Sequence, residues 1–236
     1  IVMYDMAHVL GLIGDAFQHP FKEGADLVTG STHKTFFGPQ RGIIASSMSE
    51  FTIHRPLWEQ IDREVFPGDV SNHHLGTLLA LLGATYEMIA FRDAYQAQVI
   101  ANAKAFAQAL CDAGLSVEGD SAVAYTETHQ VILNAGRGRG PEVARRLEEN
   151  GVITNYQALP SDASFSDASG IRTGVQEMTR FGMQPCDFQE LAQHLADIVL
   201  RQSDRSDVIR QFRTRFKDMQ YCLPVDDDLV ETVLSG

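Results

Sequence analysis

The apolar positions near the amino terminus come in short runs of strand length. These runs lie at residues 1–4, 25–28 and 43–45, and polar or glycine-containing segments separate them. Short apolar runs bounded by turn residues are typical of buried strands. The sequence therefore predicts three strands in this part of the chain, with Asp5 as the last residue of the first one.

Between Ser71 and Gly114 the apolar spacing changes to three and four residues, which is the period of an α-helix. The pattern predicts two helices in succession, the second beginning at about Asp93. Ser71 or Asn72 suits an N-cap, and Gly114 suits the position that follows the end of a helix. The first helix carries an apolar stripe formed by Leu75, Leu78, Leu79, Leu82, Tyr86 and Ile89. The second carries Tyr95, Val99, Ala103, Phe106 and Leu110.

Beyond residue 114, strand-like and helix-like segments alternate on a smaller scale. Strands are predicted at residues 115–117, 128–133 and 152–154, and a helix at residues 140–150, where a proline occupies the tolerated first turn. Another short strand, at residues 171–173, follows a polar loop. This alternation indicates a small sheet with helical cover.

The tail from residue 187 to residue 236 is predicted to be helical and to pack on the small sheet. Its apolar faces are formed by Phe188, Leu191, Leu195, Ile198, Val199, Ile209, Phe212 and Phe216. Asp226–Asp228 lacks the pattern of a calcium loop and is interpreted as a solvated or N-capping run. We expect residues 1–70 to belong to an α/β domain, residues 71–114 to be connecting helices, and residues 115–236 to form a small α+β domain.

Composition limits the classes of function. The 236 residues carry a net charge of −12 at pH 7 and a pI near 5.0, which argues against nucleic acid as a partner because phosphate binding needs a basic face. A hydrophobic content of 44% is ordinary for a soluble globular protein. Three widely spaced cysteines suggest a reduced, cytoplasmic compartment and no metal motif. No signal peptide and no membrane-spanning run are evident, so no membrane partner is expected.

Lys34 is the main candidate for chemistry. It follows the run at residues 25–28 in the segment Thr29–Thr35, and a second apolar run follows it, so it is predicted to lie at a turn between two strands. Burial near other cations lowers the pKa of a lysine, and a neutral amine can add to a carbonyl. A pair with a nearby carboxylate at a strand end is the alternative interpretation.

Asp5 adds a second group to the same predicted cleft. The carboxyl ends of strands in open α/β sheets gather the chemistry, so an aspartate after one strand and a lysine after a later strand can face each other. A lysine for a Schiff base and an acid for the pyridine nitrogen are the pair that pyridoxal phosphate enzymes need. The two residues alone are a weak signal for that class.

Longer motifs give a stronger indication. The segments Asp5–Ile13, Ser31–Pro39, Val65–Gly68, Ser169–Gly174 and Glu177–Met183 closely resemble, in this order, the serine hydroxymethyltransferase family. The resemblance implies the aspartate-aminotransferase-like fold, a pyridoxal-phosphate-dependent transferase of fold type I. Here it covers the end of the large domain and the small domain, so the chain is expected to be a C-terminal portion of the family's length.

The resemblance also implies roles for individual residues. Lys34 would hold pyridoxal phosphate as a Schiff base, Asp5 would pair with its pyridine nitrogen, and His8 would contact the region of its phenolic oxygen. Thr32 would act in catalysis, and Arg172 would bind the carboxylate of a small amino-acid substrate, namely serine, glycine or threonine. An internal salt bridge is the alternative for Arg172. The remaining residues expected to bind the cofactor are Ser31, His33, Gly68, Ser71 and Asn72.

The loop from Ser71 to His74 has two interpretations. In fold type I homodimers such a loop reaches the neighbouring subunit's site, so its helix N-terminus would meet the cofactor phosphate. The alternative is an ordinary capped helix start with two exposed histidines. We favour the phosphate interpretation, and with it a homodimer whose sites are shared between subunits.

Two segments depart from the most common pattern of the family. Asp69–Leu75 and Thr173–Glu177 look more like the archaeal-type branch, and somewhat like threonine transaldolases on the same scaffold. The expected activity is reversible retro-aldol cleavage of serine to glycine, with transfer of the one-carbon unit to tetrahydrofolate or tetrahydromethanopterin. Threonine transaldolase or threonine aldolase is the alternative activity. A non-catalytic partial subunit is an alternative of another class.

Overall fold

The computed structural model of the protein describes residues 1–47 and 55–224, and the acidic run Asp226–Asp228 lies outside them. The first sheet has three strands in the order β1 (Met3–Asp5), β2 (Leu27–His33) and β3 (Phe37–Ser46). β1 runs parallel to β2, whereas β3 runs antiparallel to β2 and forms a hairpin with it. The three predicted strands are thereby confirmed, because each apolar run overlaps one of these strands.

A short helical connection follows the first sheet. Helix α1 spans Arg55–Arg63, and the irregular segment Glu64–Asp69 continues from it with π-type hydrogen bonds. Phe66 and Pro67 leave helical backbone angles within that segment. The regular helix therefore ends before this segment, since a proline lacks the N–H that a helix interior needs.

A single long helix, α2 (Leu75–Asp112), replaces the two predicted helices. The predicted break at Asp93 is wrong, because the residues around it include no glycine or proline that would stop a helix. The predicted N-cap is also wrong, since His74 occupies that position in an extended conformation and caps with no side-chain hydrogen bond. Gly114 has a φ of +92° directly after the helix, which confirms its predicted role there.

The two halves of α2 have different surroundings. In the second half Tyr95, Val99, Ala103, Phe106 and Leu110 are at most 3% exposed and belong to the core. The stripe on the first half is instead 47–73% exposed. By length and composition α2 is apolar enough to cross a membrane, which is weak evidence when a single helix passes that test. The stripe is therefore an apolar surface on a helix that the core holds by its other end.

The second sheet is antiparallel, with the order β4 (Gln130–Asn134), β6 (Gly170–Gly174) and β5 (Asn155–Gln157). Helix α3 (Gly140–Glu149) covers it and confirms the predicted helix. The predicted strand at residues 152–154 begins three residues late, because the N–H of Val152 still bonds to the last turn of α3.

The remaining elements complete the helical layer. The predicted strand at residues 115–117 is only an isolated bridge from Val117 to Leu133. The sequence did not predict α4 (Gln176–Arg180), whose single turn is too short for a visible period. Helices α5 (Pro185–Leu200) and α6 (Ser206–Arg213) confirm the helical tail as far as residue 213. Residues 214–224 form no helix, and residues 225–236 lie outside the described part of the chain.

One core cluster joins the sheets and helices. It includes Leu12 near β1, the buried half of α2, Ile171 on β6 and Phe188 on α5. A smaller cluster, centred on Val28, lies beneath the first sheet. The division of the chain at residues 70 and 114 stays a prediction.

Arg180 connects three elements near the first sheet. Its guanidinium lies 2.6 Å from the Glu87 carboxylate on α2, and it donates a hydrogen bond of 3.2 Å to the carbonyl oxygen of Phe37 on β3. The same group lies 3.6 Å from the centre of the Phe37 ring. The side chains of Arg180 and Glu87 are only 11% and 20% exposed, so this pair fixes α4 against the hairpin.

Candidate active site

Asp5 and Lys34 lie at the same edge of the first sheet. Because β1 and β2 are parallel, their carboxyl ends meet there, with Asp5 as the last residue of β1 and Lys34 directly after β2. The Lys34 amine donates a hydrogen bond of 2.8 Å to the Ser31 hydroxyl. Among the described residues it makes no ion pair, so the alternative of a local carboxylate partner has no support in residues 1–47 and 55–224.

Thr35 holds the lysine turn in place. It is fully buried, and its hydroxyl accepts a hydrogen bond of 3.1 Å from the Gly11 N–H. The same hydroxyl donates to the carbonyl oxygen of His8 at 2.8 Å, and the Tyr95 hydroxyl donates to the carbonyl oxygen of Thr35 at 3.1 Å. A Cβ at Gly11 would lie 2.2 Å from the Thr35 carbonyl, so only glycine allows this approach.

A cavity of about 590 Å³ brings Lys34 together with residues from the second sheet. His8 and Lys34 line it from the first sheet, and Arg172 on β6 lines it from the second. His129 and Gln130, at the start of β4, line it as well. An amine and a guanidinium that are 138 positions apart in the chain (172 − 34) therefore share one cavity.

The guanidinium of Arg172 is available to a ligand. Its backbone pairs with Ile132 and Asn155 on the two neighbouring strands, which places it on the central strand of the sheet. Within the described ranges, Arg172 has neither an ion pair nor a side-chain hydrogen bond, so the internal salt bridge to Glu177 that we considered is not formed. A guanidinium in a cavity suits a carboxylate, which it can bind with two parallel hydrogen bonds.

The two imidazoles at the cavity are neutral near pH 7. Burial lowers the pKa of His8, the charges of Lys34 and Arg172 lower it further, and Asp5 opposes these effects. Burial also lowers the pKa of His129 to about 4, with contributions from His8 and Arg172. The rings of His8 and His129 are nearly parallel, 14° apart, with centroids separated by 6.3 Å. The site therefore places two neutral imidazoles beside Lys34 and Arg172, and Asp5, which is not a lining residue, lies near enough to His8 to influence its pKa.

Thr32 is buried within the hairpin, and its catalytic role stays a prediction. Its side chain is 1% exposed, and its hydroxyl donates to the carbonyl oxygens of Pro39 and Arg41 at 2.6 and 3.1 Å. The hydroxyl is therefore occupied within the hairpin and does not line the cavity. His33 is exposed on the hairpin and is also not among the lining residues.

Gly68, Ser71 and Asn72 also lie away from the cavity lining of this chain. Ser71 and Asn72 are exposed in the loop before α2, and the Asn72 side chain accepts a hydrogen bond from the N–H of His73. Because α2 begins only at Leu75, neither residue stands at its first turn. A role for these three residues in the cofactor site of a neighbouring subunit stays a prediction.

Several residues at the site were missed by the reading of the sequence. His129 and Gln130 lie at a strand start that carries no motif, and Thr35 was seen only as part of the motif around Lys34. The burial of Tyr95 was expected, but its bond to the lysine turn was not. The only local signal was polarity, since His129, Gln130 and Thr35 are polar residues beside apolar strand positions.

The residues present fit pyridoxal phosphate. The Lys34 amine has a hydroxyl as its partner and is free to carry a carbonyl compound, and Asp5 ends the neighbouring strand. The Nδ1 atom of His129 is buried at the same cavity and has no partner among the described residues. This arrangement is typical of enzymes that hold pyridoxal phosphate on a lysine.

Comparison with known families agrees with this class. The sequence model of the family described as serine hydroxymethyltransferase matches residues 1–195. The chain belongs to the serine hydroxymethyltransferase family, and its fold is that of the pyridoxal-phosphate-dependent transferases of fold type I.

Individual relatives point the same way. The chain is 46% identical over 228 residues to a serine hydroxymethyltransferase of Archaeoglobus fulgidus, covering 93% of this chain and 50% of that protein. It is 44% identical over 237 residues to a serine hydroxymethyltransferase of Pyrobaculum aerophilum, covering 98% and 54%. The expected similarity to archaeal members is confirmed. The chain spans about half the length of the curated relatives it matches.

A solved structure is similar over the same portion. The L-threonine transaldolase from Pseudomonas fluorescens superimposes with a TM-score of 0.89 at 34% sequence identity. The match covers 99% of this chain and 54% of that chain. The scaffold is therefore shared with the enzyme that we considered as the alternative.

Proposed function

We propose that the protein is a pyridoxal-phosphate-dependent serine/glycine hydroxymethyltransferase. The observation that carries the proposal is one cavity lined by Lys34, His8 and Arg172, with Asp5 at the adjoining strand end. Membership of the family supports it, since the relatives named above are serine hydroxymethyltransferases. The reaction is the reversible retro-aldol cleavage of serine to glycine.

Three residues of the cavity and Asp5, at the adjoining strand end, have parts in this proposal. Lys34 would hold the cofactor through its amine and would yield that position to the amine of the substrate. Asp5 would keep a proton on the pyridine nitrogen, and pyridoxal phosphate, when bound, supplies an electron sink at the substrate Cα. Arg172 orients the substrate carboxylate by bidentate hydrogen bonds. His8 remains neutral and adds no third positive charge beside Lys34 and Arg172.

Thr32 supports the site through the backbone. Its hydroxyl bonds to two carbonyl oxygens on β3 and so fixes the hairpin whose tip carries Lys34. We therefore propose that Thr32 positions Lys34 rather than touching the substrate. Ser31, whose hydroxyl accepts from Lys34, and His33 are kept as residues near the cofactor.

The attachment of the cofactor can be tested directly. Borohydride reduction of the full-length protein, followed by peptide mass spectrometry, is expected to find the cofactor on Lys34. Lys34→Ala is expected to abolish the visible absorbance band, and Lys22→Ala, at an exposed position, is the matched control and should keep it. An adduct on another lysine, or a band that survives Lys34→Ala, would show that the assignment is wrong.

The one-carbon acceptor belongs to the same proposal. Tetrahydrofolate or tetrahydromethanopterin would take the carbon unit released from serine. The similarity to a threonine transaldolase favours a second candidate, aldehyde exchange from threonine on the same scaffold. Serine turnover that requires a reduced pterin supports the first function, and exchange from threonine without a pterin supports the second.

A third candidate follows from the length of the match. The chain covers 50–54% of the relatives named above, so by itself it could act as a non-catalytic partial subunit. In that case the isolated chain binds no pyridoxal phosphate, whereas the full-length protein does. An absorbance titration of both with the cofactor separates these outcomes.

We further propose a homodimer with shared sites. The exposed apolar stripe on α2 lies next to the exposed loop that holds Ser71 and Asn72, so a second copy seated on the stripe would bring the loop to a neighbouring site. Light scattering on Leu79→Glu, with Glu149→Gln as a surface control, tests this assembly; an unchanged dimer mass in Leu79→Glu contradicts it.

The cytoplasm is the proposed compartment. Cys111, Cys186 and Cys222 are all free thiols in the described part of the chain. Proteins of oxidising compartments typically pair their cysteines, so free thiols support a reduced environment.

A further inference from the structure

Gln130 contacts the ring of His8 across the boundary between the two sheets. Its amide nitrogen lies 3.1 Å from Nδ1 of His8, although the two residues are 122 positions apart in the chain. His8 follows β1 in the first sheet, whereas Gln130 begins β4 in the second. Both side chains line the cavity that holds Lys34 and Arg172.

The chemistry of this contact decides where a proton sits on His8. An amide nitrogen carries two hydrogens and can only donate, so the ring nitrogen that faces it must offer a lone pair. A neutral imidazole with a lone pair on Nδ1 carries its single proton on Nε2. The other nitrogen of the ring is then a hydrogen-bond donor.

The groups around His8 disfavour its charged form. Lys34 from the hairpin and Arg172 from β6 repel a proton on the ring, whereas Asp5 at the end of β1 attracts one. His129, which directly precedes Gln130 in the chain, stacks against the ring of His8 and is itself neutral. With the ring neutral, the partner of Nδ1 selects between the two tautomers.

We propose that Gln130 is a positioning residue that holds His8 in the tautomer with its proton on Nε2. In this role Gln130 acts through its hydrogen bond to the ring of His8. The consequence for chemistry rests on the proposed function, because His8 would then offer its Nε2–H to the phenolic oxygen of the cofactor, the contact that the family resemblance implies. The tautomer itself is a property of this chain's residues and can be measured without any turnover.

The test uses the full-length protein with ¹⁵N-labelled histidine and without cofactor. Solid-state ¹⁵N NMR at pH 8 reads the tautomer of each ring, and the His8 signals are identified by their loss in His8→Asn. The expected result is a pyridine-type Nδ1 and a protonated Nε2 at His8. A neutral hydrogen bond of ordinary strength biases the two tautomers by roughly 2- to 10-fold, so Gln130→Leu should reduce the preference by about that factor.

A second substitution reverses the polarity of the contact. Gln130→Glu replaces a donor by a carboxylate, which can only accept, so the proton is expected to move to Nδ1 of His8. Gln98→Leu is the matched control, since Gln98 bonds to Asn102 on α2 and has no contact with His8. It should leave the His8 signals unchanged.

Three outcomes overturn the proposal. They are a protonated Nδ1 in the unsubstituted protein, an unchanged tautomer ratio in Gln130→Leu, and an Nε2–H that persists in Gln130→Glu. If Gln130→Leu does not fold, the tautomer of His8 in the unsubstituted protein and in Gln130→Glu still tests the proposal. Failure of serine turnover, with the expected tautomers observed, contradicts the proposed function and leaves the role of Gln130 intact.

Discussion

The hydroxyl of Thr35 donates a hydrogen bond of 2.8 Å to the carbonyl oxygen of His8. This bond ties the residue after Lys34 to a second lining residue of the cavity, and both partners lie in the first sheet region. Thr35 is fully buried, so water does not compete for this hydrogen bond. The position of the lysine turn relative to His8 is therefore set by a buried side chain that faces away from the cavity.

Thr35→Val tests this relationship. The substitution keeps the shape but removes the hydroxyl, which leaves the Gly11 N–H and the His8 carbonyl oxygen without their partner. Unfolding free energy is expected to fall by about 1–3 kcal/mol, and the affinity for pyridoxal phosphate to fall with it. Denaturant titration and absorbance titration measure the two effects. Thr214→Val, at an exposed position, is the control, and equal losses in both variants contradict the prediction.

Arg172→Lys tests the binding of the substrate carboxylate. Lysine keeps the charge but cannot form two parallel hydrogen bonds, so KM for serine is expected to rise by roughly 10- to 100-fold. Binding of pyridoxal phosphate should change little, because Lys34 and Asp5 are untouched. Steady-state kinetics measures KM for serine, and an absorbance titration measures the binding of pyridoxal phosphate. Arg137→Lys is the control, since that side chain is 82% exposed, and a loss of cofactor without a change in KM would contradict the role.

His129 makes stability depend on pH. Its pKa is about 4 in the folded protein and 6.5 at its ordinary value, so the unfolded chain takes up a proton first as the pH falls. The contribution of His129 to the free energy of unfolding is therefore fully present above pH 6.5 and is lost as the pH falls from 6.5 to 4. It changes no further below pH 4. The loss amounts to roughly 3 kcal/mol, from 1.4 kcal/mol for each pKa unit.

Thermal unfolding between pH 4 and 8 measures this dependence. His129→Phe is expected to flatten the curve below pH 6.5, because no buried imidazole is left to titrate. His73→Phe, at an exposed position in the loop before α2, is the control. A slope that is the same in both variants would show that His129 is not its source.

The effects of substituting Arg180 and Glu87 on the free energy of unfolding are expected to be coupled, because the two side chains form an ion pair. Glu87→Leu leaves a guanidinium that is only 11% exposed without its carboxylate, at a cost of about 2–4 kcal/mol. The double variant with Arg180→Leu should cost less than the sum of the two single variants, because no unpaired charge then remains. Unfolding of the three variants in denaturant gives the coupling energy, and simple additivity would refute it.

The sequence is sufficient for part of this site and not for the rest. Asp5 and Lys34 could be predicted because each follows an apolar strand run, and the parallel pairing of β1 and β2 then brings them to one edge. Arg172 could be predicted because a charged residue within a short strand needs an anionic partner. In each case the signal lies within a few residues of the functional side chain.

His129 and Gln130 could not be predicted in the same way. Their contacts with His8 depend on how the second sheet packs against the first, and no local pattern encodes that packing. The prediction of a break in α2 was wrong for a related reason. The apolar stripe shifts from an exposed face to the core near Asp93, and we interpreted a change of surroundings as a change of helix.

Lys34 follows a strand of the first sheet and Arg172 lies in the second, and within residues 1–47 and 55–224 the two sheets share no backbone hydrogen bonds. Side-chain bonds, such as those of Gln130 with His8 and of Arg180 with Phe37, span the two halves instead. The distance between the Lys34 amine and the Arg172 guanidinium therefore depends on the angle between the two sheets. A bound amino acid that contacts both groups would hold that angle at a single value.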